Sequence, residues 1–115
     1  DDNQINRMIE YCAENGYLKI IQWCRSRWLP VRNSAKVCAM AVKGGHLNVI
    51  KWCRENGVLW NEYTCALAAQ NGHLEILQWC KENDAPWDEQ TCVLAASQGH
   101  LQVLKWLREN GAPWN

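Results

Sequence analysis

The tripeptide Gly-His-Leu occurs three times in this chain, at Gly45-His46-Leu47, Gly72-His73-Leu74 and Gly99-His100-Leu101, with a step of 27 residues each time. Trp52, Trp79 and Trp106 keep that step, as do Trp60, Trp87 and Trp114, Cys38, Cys65 and Cys92, and Ala41, Ala68 and Ala95. A degenerate copy precedes them, Gly16-Tyr17-Leu18 with Trp23 following, offset by 29 from the next. A fixed period of this length marks a repeat array, in which every copy folds alike and buries its apolar side only against its neighbours. The copies span residues 3–30, 31–59, 60–86 and 87–115.

Within a copy the periodicity is helical. In the stretch 74–82 residues 74, 76, 77, 79 and 80 are apolar and form one stripe, while 75, 78, 81 and 82 are polar. In the stretch 62–71, Cys65, Ala68 and Ala69 fall at i, i+3, i+4 spacing, and their small size lets a neighbouring helix come close. Asp88, Asn61 and Ser34 each stand four residues before the repeating Cys, where an N-cap belongs. The Gly of Gly-His-Leu ends the first helix in the left-handed conformation, and Gly57, Asp84 and Gly111 end the second. The pattern predicts helix pairs at 3–15 and 18–27, 35–44 and 47–56, 62–71 and 74–83, and 89–98 and 101–110. The expected fold is all-α, an α-solenoid of four stacked helix-turn-helix repeats joined by short loops. At 115 residues this is one domain. The sequence stops at Trp114-Asn115, where a further unit would begin, so a piece of a longer array is expected.

The segment Leu67-Ala68-Ala69-Gln70-Asn71-Gly72-His73-Leu74-Glu75-Ile76-Leu77, with Asn110-Gly111-Ala112 closing the last unit, resembles ankyrin repeats. The resemblance covers nearly the whole chain. It departs from the family in a unit of 27 rather than about 33 residues. It also departs in having Tyr63-Thr64-Cys65-Ala66 where the family has Thr-Pro-Leu-His. The missing residues fall before each first helix, so the projecting finger is expected to shrink to a short loop. Short Trp-containing units are similar to arrays of large DNA viruses and some protists, which implies a host-directed role. The resemblance also implies that partners dock on a concave surface made by loop tips and the first helices. On this chain that surface takes in Glu62, Gln70 and Asn71, then Glu89, Ser97 and Gln98, with Lys43 at the matching place in the second unit.

Trp23, Trp52, Trp79 and Trp106 occupy a core leucine position of the repeat and are expected to be buried. Trp60, Trp87 and Trp114 form either a ladder between repeats or a partly exposed rim that anchors a partner. Cysteine positions accept Leu107 and Ile9 in other copies, so they read as packing sites. Neighbouring repeats lie roughly 10 Å apart, beyond the roughly 4.4–6.8 Å of a disulfide. Reduced core thiols in an intracellular setting, cytoplasm or nucleus, follow. The three His side chains are expected to bond turn backbone groups. Metal ligands would have to converge, whereas repeat spacing holds these apart, and no metal or cofactor is expected. No nucleophile elbow, phosphate loop or distinctive carboxylate pair is present, so no enzyme is expected. Glu55, Glu82 and Glu109 beside Lys or Arg read as a solvated helix face. No run nears the roughly 18 apolar residues of a membrane span.

Departures from the repeat point to function. Trp28 stands where Gly57 stands in the next copy, and two extra residues lengthen the following loop. Trp28 either anchors a partner or packs locally, and Arg32 and Asn33 lie beside it. Residues 1–57 hold nine Lys/Arg against five Asp/Glu, a balance of +4, and residues 58–115 hold three against seven, a balance of −4. Such asymmetry orients an approaching partner. The reading is a monomeric protein-interaction module for an intracellular partner. Its candidate contacts are Trp28, Arg32, Asn33, Lys36, Lys43, Trp60, Trp87, Tyr63 and Gln90, together with the concave-surface residues above. Nucleic-acid binding through the basic half and a purely architectural spacer are the alternatives, the overall charge of zero giving no general attraction to polyanions.

Overall fold

The computed structural model describes residues 2–27, 35–58 and 60–113. Among these it is all-α, with helices α1 (Asp2–Glu14), α2 (Leu18–Arg27), α3 (Ala35–Gly44), α4 (Leu47–Glu55), α5 (Glu62–Gln70), α6 (Leu74–Glu82), α7 (Glu89–Ser97) and α8 (Leu101–Glu109). These match the eight predicted segments to within a residue at each end. The chain forms two compact units, Asp1–Leu59 and Trp60–Asn115. Each is two helix-turn-helix repeats laid side by side, the packing of an α-solenoid. In the first unit α1 packs on α2 and α3, and α3 on α4; in the second α5 packs on α6 and α7, and α7 on α8.

Local chemistry sets the helix boundaries. Asn61 opens α5 with its side-chain oxygen accepting from the Tyr63 amide (2.9 Å), while its own amide donates to Thr64 Oγ1 (3.2 Å). Asp88 opens α7 by accepting from the Gln90 amide (3.0 Å). Both use donors that a helix start leaves unpaired. Ser34, the third expected cap, lies outside the described residues. At the other ends the chain turns through positive φ, and the next amide reaches back five residues. His73 donates to Ala68 O (2.9 Å) and Ala85 to Cys80 O (2.9 Å), the Schellman arrangement. Asp84 takes φ 66°, as its position in the repeat requires. The asparagines just before these turns close the same ends: Asn56, Asn83 and Asn110 each donate a side-chain N–H to the carbonyl of Trp52, Trp79 or Trp106 at 2.8–2.9 Å.

Small buried residues bring the first helices together. Cys38, Ala41 and Val42 of α3 are fully covered, as are Cys65, Ala68 and Ala69 of α5 and Ala95 of α7. A Cβ on Gly44 would collide with the Glu14 carbonyl oxygen, so α3 approaches the end of α1 as closely as a bare backbone allows. The joint between repeats is completed by a histidine. The His100 ring lies over Gly72 in the preceding repeat, its Cε1 and Nδ1 2.8 Å from where a Cβ would stand, and His46 covers Gly16 in the same way. His100 Nε2 is 3.0 Å from Gln70 O. A carbonyl only accepts, so Nε2 carries the proton and donates. The histidine thus bonds backbone as expected, in the repeat before its own rather than in its own turn.

Gly72 therefore has two reasons to be glycine, φ 71° and the ring above it, whereas Gly99 has φ 75° and open space. Alanine at either position costs about 1–2 kcal/mol for the left-handed backbone. Gly72→Ala is expected to lose about 1–3 kcal/mol more than Gly99→Ala because His100 must move. Urea unfolding of the two variants measures the difference; equal losses contradict the joint.

Candidate functional site

The helix tryptophans are not core residues. Trp23 is 51% exposed, and Trp52, Trp79 and Trp106 are only half-buried. In each copy the next residue, Cys24, Cys53, Cys80 or Leu107, takes the enclosed position. An indole one step round the helix is left on the flank, where it meets other rings. Trp60 and Trp79 pack edge to face with centroids 6.0 Å apart, and Trp87 and Trp106 repeat the arrangement at 6.0 Å.

A cation from the preceding repeat joins the stack. Arg25 lies 5.5 Å from the Trp52 ring, and Lys81 Nζ lies 4.0 Å from that of Trp87. Lys81 Nζ also donates to Ala85 O (2.8 Å), and Arg54 donates to Val58 O (3.1 Å), so these side chains close the ends of the second helices. Lys81 and Arg54 are thus half-buried fasteners rather than members of a solvated face. Lys81 lines a shallow groove together with Gln78, Glu82, Trp87, Trp106 and Asn110. Trp60 and Trp87 are half-buried and each has its ring partner in its own repeat; Trp114 lies outside the described residues.

All seven cysteines are buried and none forms a disulfide. Burial pushes the Cys38 thiol up to about 11 and the Cys53 thiol up to about 12, Cys38 adding to the rise at Cys53 and Arg54 opposing both. Cys12, Cys24 and Cys92 are raised for the same reason. Thiols held protonated in apolar surroundings pack as small hydrophobes and are poor nucleophiles at neutral pH. Among the described residues no group of three or more His, Cys, Asp or Glu is placed to hold a metal ion. No described helix is long and apolar enough to cross a membrane.

The expected partner contacts divide into three groups. Trp28, Arg32 and Asn33 lie outside the described residues. Lys36 and Lys43, on α3, stand 3.6 Å from Glu10 and Glu14 of α1, so each has a carboxylate beside it. Glu62 and Tyr63 on the first turn of α5 and Gln90 on the first turn of α7 come together. With Ala66, Asp88 and Leu94 they line a groove of about 240 Å³, and Tyr63 is 55% exposed at its edge. Glu89, the first residue of α7, is exposed. Gln70, Asn71, Ser97 and Gln98 sit at the opposite helix ends, about 12 Å away along the axis. There the Gln70 carbonyl serves the joint, Asn71 donates to Leu67 O (2.9 Å) and Ser97 to Leu94 O (3.0 Å). The expected contacts thus fall at both ends of the first helices.

Sequence reasoning missed an apolar patch on the first repeat, Met8, Tyr11, Tyr17, Ile20 and Trp23, all exposed. Its signal is the tyrosine that stands at 17 where the other copies have histidine. No protein-family model matches the chain, and no curated protein is similar enough to count as a relative.

Because folding raises the Cys38 and Cys53 pKa values, the folded chain keeps two protons that the unfolded chain releases near pH 9. Their contribution to stability is complete below that pH and is lost as pH climbs toward 11 and 12. The expected slope is about 1.4 kcal/mol per pH unit for each thiol. Chemical unfolding between pH 8 and 11 is expected to show this fall, and a Cys38→Ala/Cys53→Ala variant, less stable at pH 7, is expected to show a shallower one. An unchanged slope contradicts the assignment.

Proposed function

We propose that this chain is a non-catalytic protein-interaction module of the ankyrin-repeat type that binds a partner protein, in an intracellular setting, through its first-helix face. The observation that carries the reading is the α5–α7 groove. Its floor is apolar (Ala66, Leu94), its edge is the exposed Tyr63, and Glu62 and Asp88 line it with Gln90. Neither α5 nor α7 contains a Lys or Arg. A tyrosine ring beside an apolar floor is the usual form of a binding hot spot, and carboxylates around it select a partner segment carrying both apolar and basic side chains. The helices that hold these residues rest on fully covered positions, Cys65, Ala68, Ala69 and Ala95, so the groove is formed before a partner arrives. The repeated Ala-Ala-x-x-Gly-His-Leu block on a helical hairpin supports the family assignment. A host-directed role extends the proposal on the resemblance alone.

The basic first half is a poorer match to a polyanion, since Lys36 and Lys43 already face Glu10 and Glu14. A random peptide library selected on the immobilised chain tests the reading. The expected ligands are rich in Lys or Arg next to aliphatic or aromatic residues. Tyr63→Ala is expected to weaken them by about 2 kcal/mol, roughly 30-fold, without lowering the melting temperature. Selected peptides indifferent to Tyr63, or tighter binding to a mixed-sequence oligonucleotide that collapses as salt rises, would contradict it.

A further inference from the structure

Asparagine precedes glycine four times in this chain, at Asn15-Gly16, Asn56-Gly57, Asn71-Gly72 and Asn110-Gly111, and each pair directly follows the last residue of a helix. Such a pair is chemically labile. The glycine amide nitrogen bonds to the asparagine Cγ, and the side-chain nitrogen leaves as ammonia, taking the proton that the glycine nitrogen gives up. Water then opens the five-membered imide at either carbonyl, leaving aspartate or an isoaspartate whose backbone runs through its β-carbon. Glycine favours the reaction because it has no side chain to crowd the attacking nitrogen. Asn83 stands at the matching helix end of the third repeat but precedes Asp84, which has one.

All four pairs share one lock. Asn15, Asn56, Asn71 and Asn110 each donate a side-chain N–H to the carbonyl four residues earlier, at 2.8–2.9 Å. The angle ψ is 14° at Asn56, 6° at Asn71 and 14° at Asn110, which eclipses the glycine nitrogen with the asparagine's own nitrogen rather than with its Cβ. Ring closure therefore waits for the last turn of the helix to open. What differs is the cost of opening. At the ends of α1 and α5 a histidine ring from the next repeat lies on the glycine. His46 Nδ1 is 2.6 Å from where a Gly16 Cβ would stand, and His100 Cε1 is 2.8 Å from that of Gly72. His100 also holds Gln70 O at 3.0 Å, so the chain is fixed on both sides of Asn71. At the ends of α4 and α8, Gly57 and Gly111 are exposed, and among the described residues no atom lies within 4 Å of an added Cβ.

We propose that Asn56 and Asn110 are sites of spontaneous deamidation, and that the repeat histidine shields Asn15 and Asn71 from the same reaction. The product loosens the helix end at which it forms. A carboxylate replaces the N–H that donates to Trp52 O or Trp106 O, and it puts negative charge at the helix end that disfavours it. The extra backbone carbon of isoaspartate also disturbs the bonds that close these turns, Val58 N to Cys53 O (2.9 Å) and Ala112 N to Leu107 O (3.0 Å). The second helices thereby age at their ends while the histidine-covered turns do not.

Peptide mapping by mass spectrometry, on the folded chain held in mildly alkaline buffer, follows all four sites at once. Asn56 and Asn110 are expected to convert about tenfold faster than Asn15 and Asn71, the factor that about 1.4 kcal/mol of extra opening free energy gives. In concentrated urea the four are expected to convert at one pace. His100→Ala is expected to bring Asn71 to the rate of Asn110 while Asn15 stays slow. Equal rates at the four sites of the folded chain overturn the inference. Fast conversion at Asn110 alone does so too, by assigning the reaction to fraying of α8, as does a His100→Ala variant in which Asn71 reacts no faster. Circular dichroism checks folding, and should that variant melt early, His46→Ala with Asn15 as its reporter replaces it.

Discussion

The close approach of one helical hairpin to the turn of the one before it is the constraint on which the structure depends. His100 lies flat over Gly72 and donates to Gln70 O, 30 residues earlier in the chain. No side chain fits between ring and backbone, which fixes glycine at the turn and small residues along the first helices. That closeness lets α5 and α7 cover each other completely at Cys65, Ala68, Ala69 and Ala95. It also places the N-terminal turns of α5 and α7 side by side, and the groove edged by Tyr63 is the gap between them.

Tryptophan and cysteine divide one task in this arrangement. The thiols fill the enclosed stripe, where their size suits a tight joint, and burial keeps Cys38 and Cys53 protonated. The indoles lie on the flank, where width is an advantage: Trp87 reaches Trp106 and meets Lys81 from the preceding repeat. The ring-on-ring contact lies within a repeat, and the cation-on-ring contact of Lys81 with Trp87 crosses to the next. The first repeat exposes Met8, Tyr11, Ile20 and Trp23.

Much of this was legible before any coordinates, because a period of 27 repeats every local signal. Asn61 and Asp88 announce helix starts, the turn glycines announce ends, and the eight helices fall where the pattern puts them. What stayed hidden depends on neighbours rather than on period. An indole at 79 and a leucine in its place have the same helical spacing, so the pattern does not separate flank from core. Lys81 reads as a solvated residue until its carbonyl and ring partners are in view. The His100 acceptor belongs to another repeat, and nothing within one copy names it. The candidate contacts scattered for the same reason: Gln70 and Asn71 vary between copies, yet the joint and the helix end already use them.

The most direct measurement of the central claim is the proton NMR spectrum of the Gly72–His100 contact. The account predicts that the Gly72 Hα resonances are displaced by the imidazole ring current and show nuclear Overhauser effects to the His100 ring protons. Gly99 in the same chain serves as the reference, having the same backbone sign and open space. Gly72 resonances at the Gly99 values, with no cross-peak to the His100 ring, would contradict it.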